Sequence, residues 1–207
     1  MFKTLRSLGA SLGALNLGEK PLLANVREDI DTEIISRLLN RGYSPNIADS
    51  LGRTPLMLAA GNGNPNTISV LLWHGANVSA KDSSGATALH YAANAQNSHF
   101  PTFFKKYHGN EKGGGHDVPK DADYVSCVTH LCSAKGCDIN AANEAGETAL
   151  MLAVGHPELL EVLLRYKPDL SRRNRNSETA PALADRHAFI VSARLLRTHA
   201  DTANAKT

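Results

Sequence analysis

A register of turn, small and apolar residues returns every 33 positions along this chain, and that period constrains the fold more than any other feature. Asp49, Gly52, Thr54, Leu56, Ala59, Leu71, Leu72, Gly75 and Ala76 define it, and Asp82, Gly85, Thr87, Leu89 and Ala92 repeat its leading members 33 residues on. It returns at Asn143, Gly146, Thr148, Leu150 and Ala153, and again as Asn174 and Thr179. Leu38, Leu39 and Gly42 precede Leu71, Leu72 and Gly75 by one period. Each unit reads as a turn and two helices. In DSLGRTPLMLAAGNGNPNTISVLLWHGANVSAK, Asp49 and Gly52 suit a tight turn, and Thr54 with Pro55 marks a helix start. Leu56, Ala59 and Ala60 give the first helix a small apolar face, and the glycine-asparagine stretch after it breaks the helix. Ile68, Val70, Leu71 and Leu72 line the second helix, which stops at Gly75. Neither helix can bury its apolar face alone, so the units must stack.

These residues resemble the ankyrin repeat, whose signature appears here as TPLMLAA, TALHYAA, TALMLAV, LLWHGANVSA and GCDINAA. The resemblance covers about residues 20–200 and implies an all-α ankyrin-repeat solenoid of about five helix-turn-helix units, at about 20–48, 49–81, 82–142, 143–173 and 174–201. A tail or amphipathic helix at 1–19 would precede them and a tail at 202–207 follow. The outer two units are degenerate, as capping units are when one face must meet water. The family works by binding other proteins through the turn tips and the exposed end of each first helix. Carried onto this chain, that surface is Ser50, Leu51 and Arg53 with Asn62; Ser83, Ser84 and Ala86 with Asn94; Glu144, Ala145 and Glu147 with His156; then Arg173, Arg175, Asn176 and Glu178. Leu51 stands out as an apolar residue on a turn tip. Glu144 and Glu147 beside the arginines grade the charge, which suits a partner surface bearing both signs.

The third unit departs most, since Gly85 and Gly146 are 61 residues apart where 33 are expected, leaving an insertion of 28. GATALHYAANAQ reads as its first helix and DADYVSCVTHLCSAKGCDINAAN as its second, with Gly136 as the cap. Between them, at about 97–120, Phe100, Phe103, Phe104 and Tyr107 lie beside Lys105 and Lys106 and precede a glycine run at Gly113 to Gly115. Pro101 can open a short helix through about His108. The aromatic residues either pack back on the stack or form a patch for a partner, and a third register has the short helix replacing the expected second one. In the fourth unit the inter-helix turn near Gly155 to Pro157 is two residues short, and Lys167 and Pro168 replace Gly75 and Ala76. Loss of that glycine predicts a distorted junction.

A formal charge of +2 and a pI near 8.4 do not call for nucleic acid or an anionic membrane, so the arginine cluster at Arg172, Arg173 and Arg175 is a local feature. Three cysteines, an odd number, argue against a disulfide framework and for a reducing, cytoplasmic setting. Phe2, Leu5, Leu8, Leu12 and Leu15 recur at helical steps, so residues 1–17 would be a flexible tail or a helix packed on the first unit, or else the membrane-surface or organelle-targeting anchor of an adaptor. Cys127, His130, Cys132 and Cys137 are metal-ligand types, with His108 and His116 as further candidates, but their spacing lacks a paired C-x2-C knuckle. The repeat register puts Cys132 at the place of core Leu71 and Cys137 at that of Ala76, so both read as apolar packers. His90 reads as a turn-bonding histidine and Trp73 as packed between units. No serine-histidine-acid, P-loop or dinucleotide pattern occurs, and the expectation is a non-enzymatic binding module that uses no cofactor and acts as a monomer.

Overall fold

The computed structural model describes residues 32–94 and 123–204, and among these it holds nine α-helices and no strand. An inner row comprises α2 (Pro55–Gly61), α4 (Ala88–Asn94), α6 (Ala149–Leu152) and α8 (Ala180–Arg186). The outer row comprises α1 (Thr32–Asn40), α3 (Pro65–Trp73), α5 (Tyr124–Ser133), α7 (Pro157–Arg165) and α9 (Ile190–Asn204). Each inner helix packs on the next inner helix and each outer helix on the next outer one, which makes the chain an all-α repeat solenoid. One apolar core, from Ile35 through Leu71, Leu131 and Leu160 to Leu196, runs the length of the stack.

The inner helices start where the sequence places a threonine. The hydroxyls of Thr54, Thr148 and Thr179 accept from the N–H groups of Met57, Met151 and Ala182, each at 3.4 Å, and Pro55 and Pro181 add preset backbone angles. Among the outer helices, α3 and α5 are capped by Asn64 and Asp123, which accept from Thr67 and Ser126 at 3.0 and 2.9 Å. In the fourth unit the clipped turn leaves α6 only four residues long, continued by a tighter 3-10 turn at Ala153–Gly155.

Because α3 packs directly on α5, residues 124–133 are the second helix of the third unit, which excludes the register with a short helix in its place. Asp123 N–H donates to the carbonyl of Gly63 at 2.8 Å, so this helix is rooted on the inter-helix turn of the second unit. The insertion aromatics Phe100, Phe103, Phe104 and Tyr107, the short helix expected from Pro101, His108 and His116, and the amphipathic stretch at 1–17 lie outside the described residues.

Three expectations are corrected. Trp73 is 80% exposed, its ring standing edge-on to His74 with centroids 4.6 Å apart. Thr67, Ile68 and Leu71 form the buried face of α3, and a residue two positions past Leu71 points about 200° around the helix from it. Cys132 does not take the place of Leu71. Helix α5 is one residue longer than α3, 10 against 9, so Leu131 is the fully buried residue and Cys132 is half-buried, as Cys137 and Ala76 are. Lys167 does not distort its junction but adopts the left-handed conformation itself, at φ +54°, and its N–H bonds to Leu164 at 3.1 Å.

The inter-unit bond beyond Lys167 is also kept: Asp169 N–H donates to Asn140 Oδ1 at 2.8 Å, as Asn77 N–H does to Asn46 Oδ1 at 2.7 Å. A lysine in this conformation carries a strain of about 1–2 kcal/mol, of which about 0.5–1 is offset by the greater unfolded-state freedom of glycine. Lys167→Gly is therefore expected to stabilise the chain by about 0.5–1 kcal/mol, read as a higher urea midpoint with an unchanged slope.

Candidate partner-binding surface

Each turn tip is built on one side chain. Oδ1 of Asp49 accepts the N–H groups of Leu51 and Arg53, each at 2.9 Å. Asp82 holds Ser84 and Ala86, Asn143 holds Ala145 and Glu147, and Asn174 holds Asn176 and Glu178 in the same way. The head residue's second polar atom binds the residue four positions on, or a neighbour, with complementary chemistry. Arg53 Nε and Nη2 lie 2.7 Å from Asp49 Oδ2, whereas the amides of Asn143 and Asn174 donate to Glu147 and Glu178 at 3.0 and 3.3 Å. At Asp82, where alanine stands four residues on, Tyr91 donates to Oδ2 at 2.7 Å. Burial, then the bond to Asp82, raises the Tyr91 phenol well above its ordinary range.

Successive tips are tied by one backbone bond each: Ser83 to Leu51 at 2.9 Å, Glu144 to Ser84 at 2.8 Å and Arg175 to Ala145 at 2.8 Å, with N–H donating to carbonyl. The close approach needs glycine. A Cβ on Gly52, Gly85 or Gly146 would stand 3.1 Å from the next tip's backbone nitrogen, and all three have φ +75°. Below the third tip, Thr87 N–H donates to His90 Nδ1 at 3.1 Å, which leaves Nε2–H to donate to the Glu147 carbonyl at 3.0 Å. His90 thus bonds its own turn, as expected, and also the next unit. Burial lowers its pKa from 6.5 to about 4.

These contacts sort the sequence-derived residues. Glu144, Arg173 and Arg175 are exposed on the tips of the last two described turns, and Leu51, Asn62, Glu147 and His156 are half-buried. Arg53, Ser84 and Asn94 are buried. Arg53 closes on Asp49 and the Ser84 hydroxyl donates to Asp82 Oδ1 at 2.5 Å, so both serve the turn. Arg173 donates to the Ser177 carbonyl at 2.6 Å, and Glu178 pairs with Arg186 at 2.5 Å. Exposed Trp73 was missed as surface because its neighbours Leu71 and Leu72 suggested packing. Among the described residues no three His, Cys, Asp or Glu side chains come together as metal ligands; Cys127 is buried in the core while His130 is exposed. No described helix is long and apolar enough to cross a membrane.

Comparison with known proteins gives a consistent picture. A family model described as "Ankyrin repeats (3 copies)" matches residues 22–108, and one described as "Ankyrin repeat" matches residues 145–175. The chain is 28% identical over 155 residues to potassium channel AKT2/3 of Arabidopsis thaliana, covering 72% of this chain and 19% of the channel. It is 30% identical over 194 residues to SH3 and multiple ankyrin repeat domains protein 2 of Homo sapiens, covering 83% of this chain and 10% of that protein. Over 62 residues it is 44% identical to the B-cell lymphoma 3 protein homolog of Mus musculus, covering 30% of this chain and 14% of that one. The chain spans less than a fifth of the length of each of these relatives.

Proposed function

The chain belongs to the ankyrin repeat family, and from that premise we propose that this protein-protein interaction module acts as a non-enzymatic adaptor, scaffold or inhibitor. Its partner lies along the row of turn tips. The observation that carries this reading is the spacing device of the tips: side chains on successive units are held in a fixed row by the backbone bonds from Ser83 to Leu51, Glu144 to Ser84 and Arg175 to Ala145. A row fixed before binding loses little conformational freedom when a partner docks. Leu51 supplies an apolar contact at one end, and Glu144 with Arg173 and Arg175 supply both charge signs at the other. The aromatic residues of the insertion, Phe100, Phe103, Phe104 and Tyr107, would extend this surface as hydrophobic anchors.

Affinity capture with the whole chain tests this. A Glu144→Lys, Arg175→Glu variant is expected to lose partners by roughly tenfold or more, because reversed charges juxtapose like signs across the interface. A variant lacking residues 98–120 separates the insertion's share from that of the tips. If both variants, folded by circular dichroism, recover the same partners in the same amounts as the wild type, the binding surface lies elsewhere.

A further inference from the structure

The outer row of helices meets solvent along one face, and that face carries charge on three helices but none on the other two. Glu33 and Arg37 are exposed on α1, Glu158 and Glu161 on α7, and Arg194 and Arg197 on α9. Helices α3 and α5, PNTISVLLW and YVSCVTHLCS, contain no Asp, Glu, Lys or Arg. They pack side by side, so their exposed residues form one surface. Asn66, Ser69 and Trp73 follow at three- and four-residue steps on α3, and Val125, Thr129 and Ser133 at four-residue steps on α5, with His130 beside them. Trp73 and Val125 are two of the exposed large apolar side chains among the described residues. The three hydroxyls are already used inside the chain. Ser69 donates to the Pro65 carbonyl at 3.0 Å and Thr129 to the Val125 carbonyl at 2.8 Å, while Ser133 and Tyr166 share a bond of 2.9 Å. Covering these hydroxyls leaves no donor unpaired, whereas covering the faces of α1, α7 or α9 would strip ions of water. A solvent-facing helix surface ordinarily bears charge, and one without charge that shows a tryptophan has the composition of an interface core.

We propose that the outer face of α3 and α5 is a second docking surface, apart from the turn tips, and that it takes one amphipathic helix of a partner protein by that helix's uncharged apolar side. Size and charge select this occupant. Helices of 9 and 10 residues rise about 15 Å and lie about 10 Å apart, so the surface measures about 300 Å². A stable dimer needs about 800 Å² from each copy, which this surface does not offer to a second chain. A single helix laid along the groove between α3 and α5 fits it. Any charged residue on the inner side of that helix would lose its water and meet no opposite charge, so the matching chemistry is neutral and apolar, with Trp73 as the anchor.

The test is a selection of peptides from a phage-displayed library of amphipathic helices against the whole chain, followed by titration of the labelled winners. Enriched peptides are expected to carry a neutral apolar side and to shift the emission of Trp73, the only tryptophan, to the blue. Fluorescence anisotropy should show them binding Trp73→Ala and Val125→Glu variants, both folded by circular dichroism, weaker by roughly tenfold or more. The Glu144→Lys, Arg175→Glu variant should bind them as the wild type does, which separates this surface from the turn tips. No enrichment, or enriched peptides that bind Trp73→Ala as tightly as the wild type, overturns the proposal. Three other results overturn it by giving the surface a different occupant. A dimer that Trp73→Ala abolishes in sedimentation would assign it to a second copy, and a blue shift with phosphatidylcholine vesicles to a membrane. A red shift of Trp73 on deleting residues 98–120 would assign it to the chain's own insertion.

Discussion

Replacing Gly85 by alanine will destabilise the chain by about 2–5 kcal/mol, well beyond what the same change does at Gly75. Both glycines hold positive φ, at +75° and +84°, so both substitutions force alanine into the left-handed region at about 1–2 kcal/mol. Only at Gly85 does the added Cβ meet another unit, 3.1 Å from Glu144 N and 3.4 Å from the Asn143 carbonyl carbon; at Gly75 it enters open space. Those neighbours are backbone atoms already fixed by the Glu144 to Ser84 bond, so they cannot yield as a side-chain tip would, and overpacking adds about 1–3 kcal/mol. Urea unfolding of the two variants side by side measures the difference. Equal midpoints would mean that the third and fourth tips do not touch as described.

Acid will weaken the stack through His90. A buried histidine held at about 4, against 6.5 in an unfolded chain, resists protonation when folded. Its contribution is complete above pH about 6.5 and falls as the pH drops from there, because only the unfolded chain then binds the proton. By pH about 4 the loss reaches about 3 kcal/mol, at 1.36 kcal/mol per unit of pKa difference. Burial is the main cause, with the charge of Lys81 acting in the same direction. Met57 and Met151 stand at the same place in the neighbouring units, so His90→Met is the natural control. The variant should be less stable than the wild type at pH 7, having lost the bond to Glu147 and exchanged the imidazole acceptor of Thr87 N–H for a sulfur such as Met57 offers Thr54 at 3.4 Å, and the gap should narrow or close on acidification towards pH 4. A constant gap across that range would remove His90 as the source of the pH dependence.

How far the sequence could be read depended on whether a feature was periodic. The threonine helix starts, the glycine turns and the two helix rows share one register, so their places could be read from it even though the step from Asp82 to Asn143 is 61 residues and not 33. Arg53 shows where that reasoning stops. Its position on a turn suggested exposure, but its guanidinium folds back on Asp49, and the ion pair is 9% and 1% exposed. A signal for this was present, since the residues four after the head are Arg after Asp49 and Glu after Asn143 and Asn174, a complementary pairing. Cys132 was misplaced because α5 gained one residue between its buried face and Gly136, a shift that a fixed offset cannot register. Lys167 held its turn because a backbone conformation that merely favours glycine does not require it where no neighbour fills the space of the side chain.

The glycine that lets one tip approach the next is replaced in the fifth unit by Ser177, which holds φ +62° and keeps the same N–H bond to Asn174 at 2.9 Å. Its Cβ occupies the place where, in the three units before it, the following backbone comes within 3.1 Å. A further unit docked on this side by the same geometry would have to give by a few tenths of an ångström around that Cβ, so the tip of the fifth unit accepts a neighbour less readily than the three glycine tips do, and a Ser177→Gly change would remove the difference.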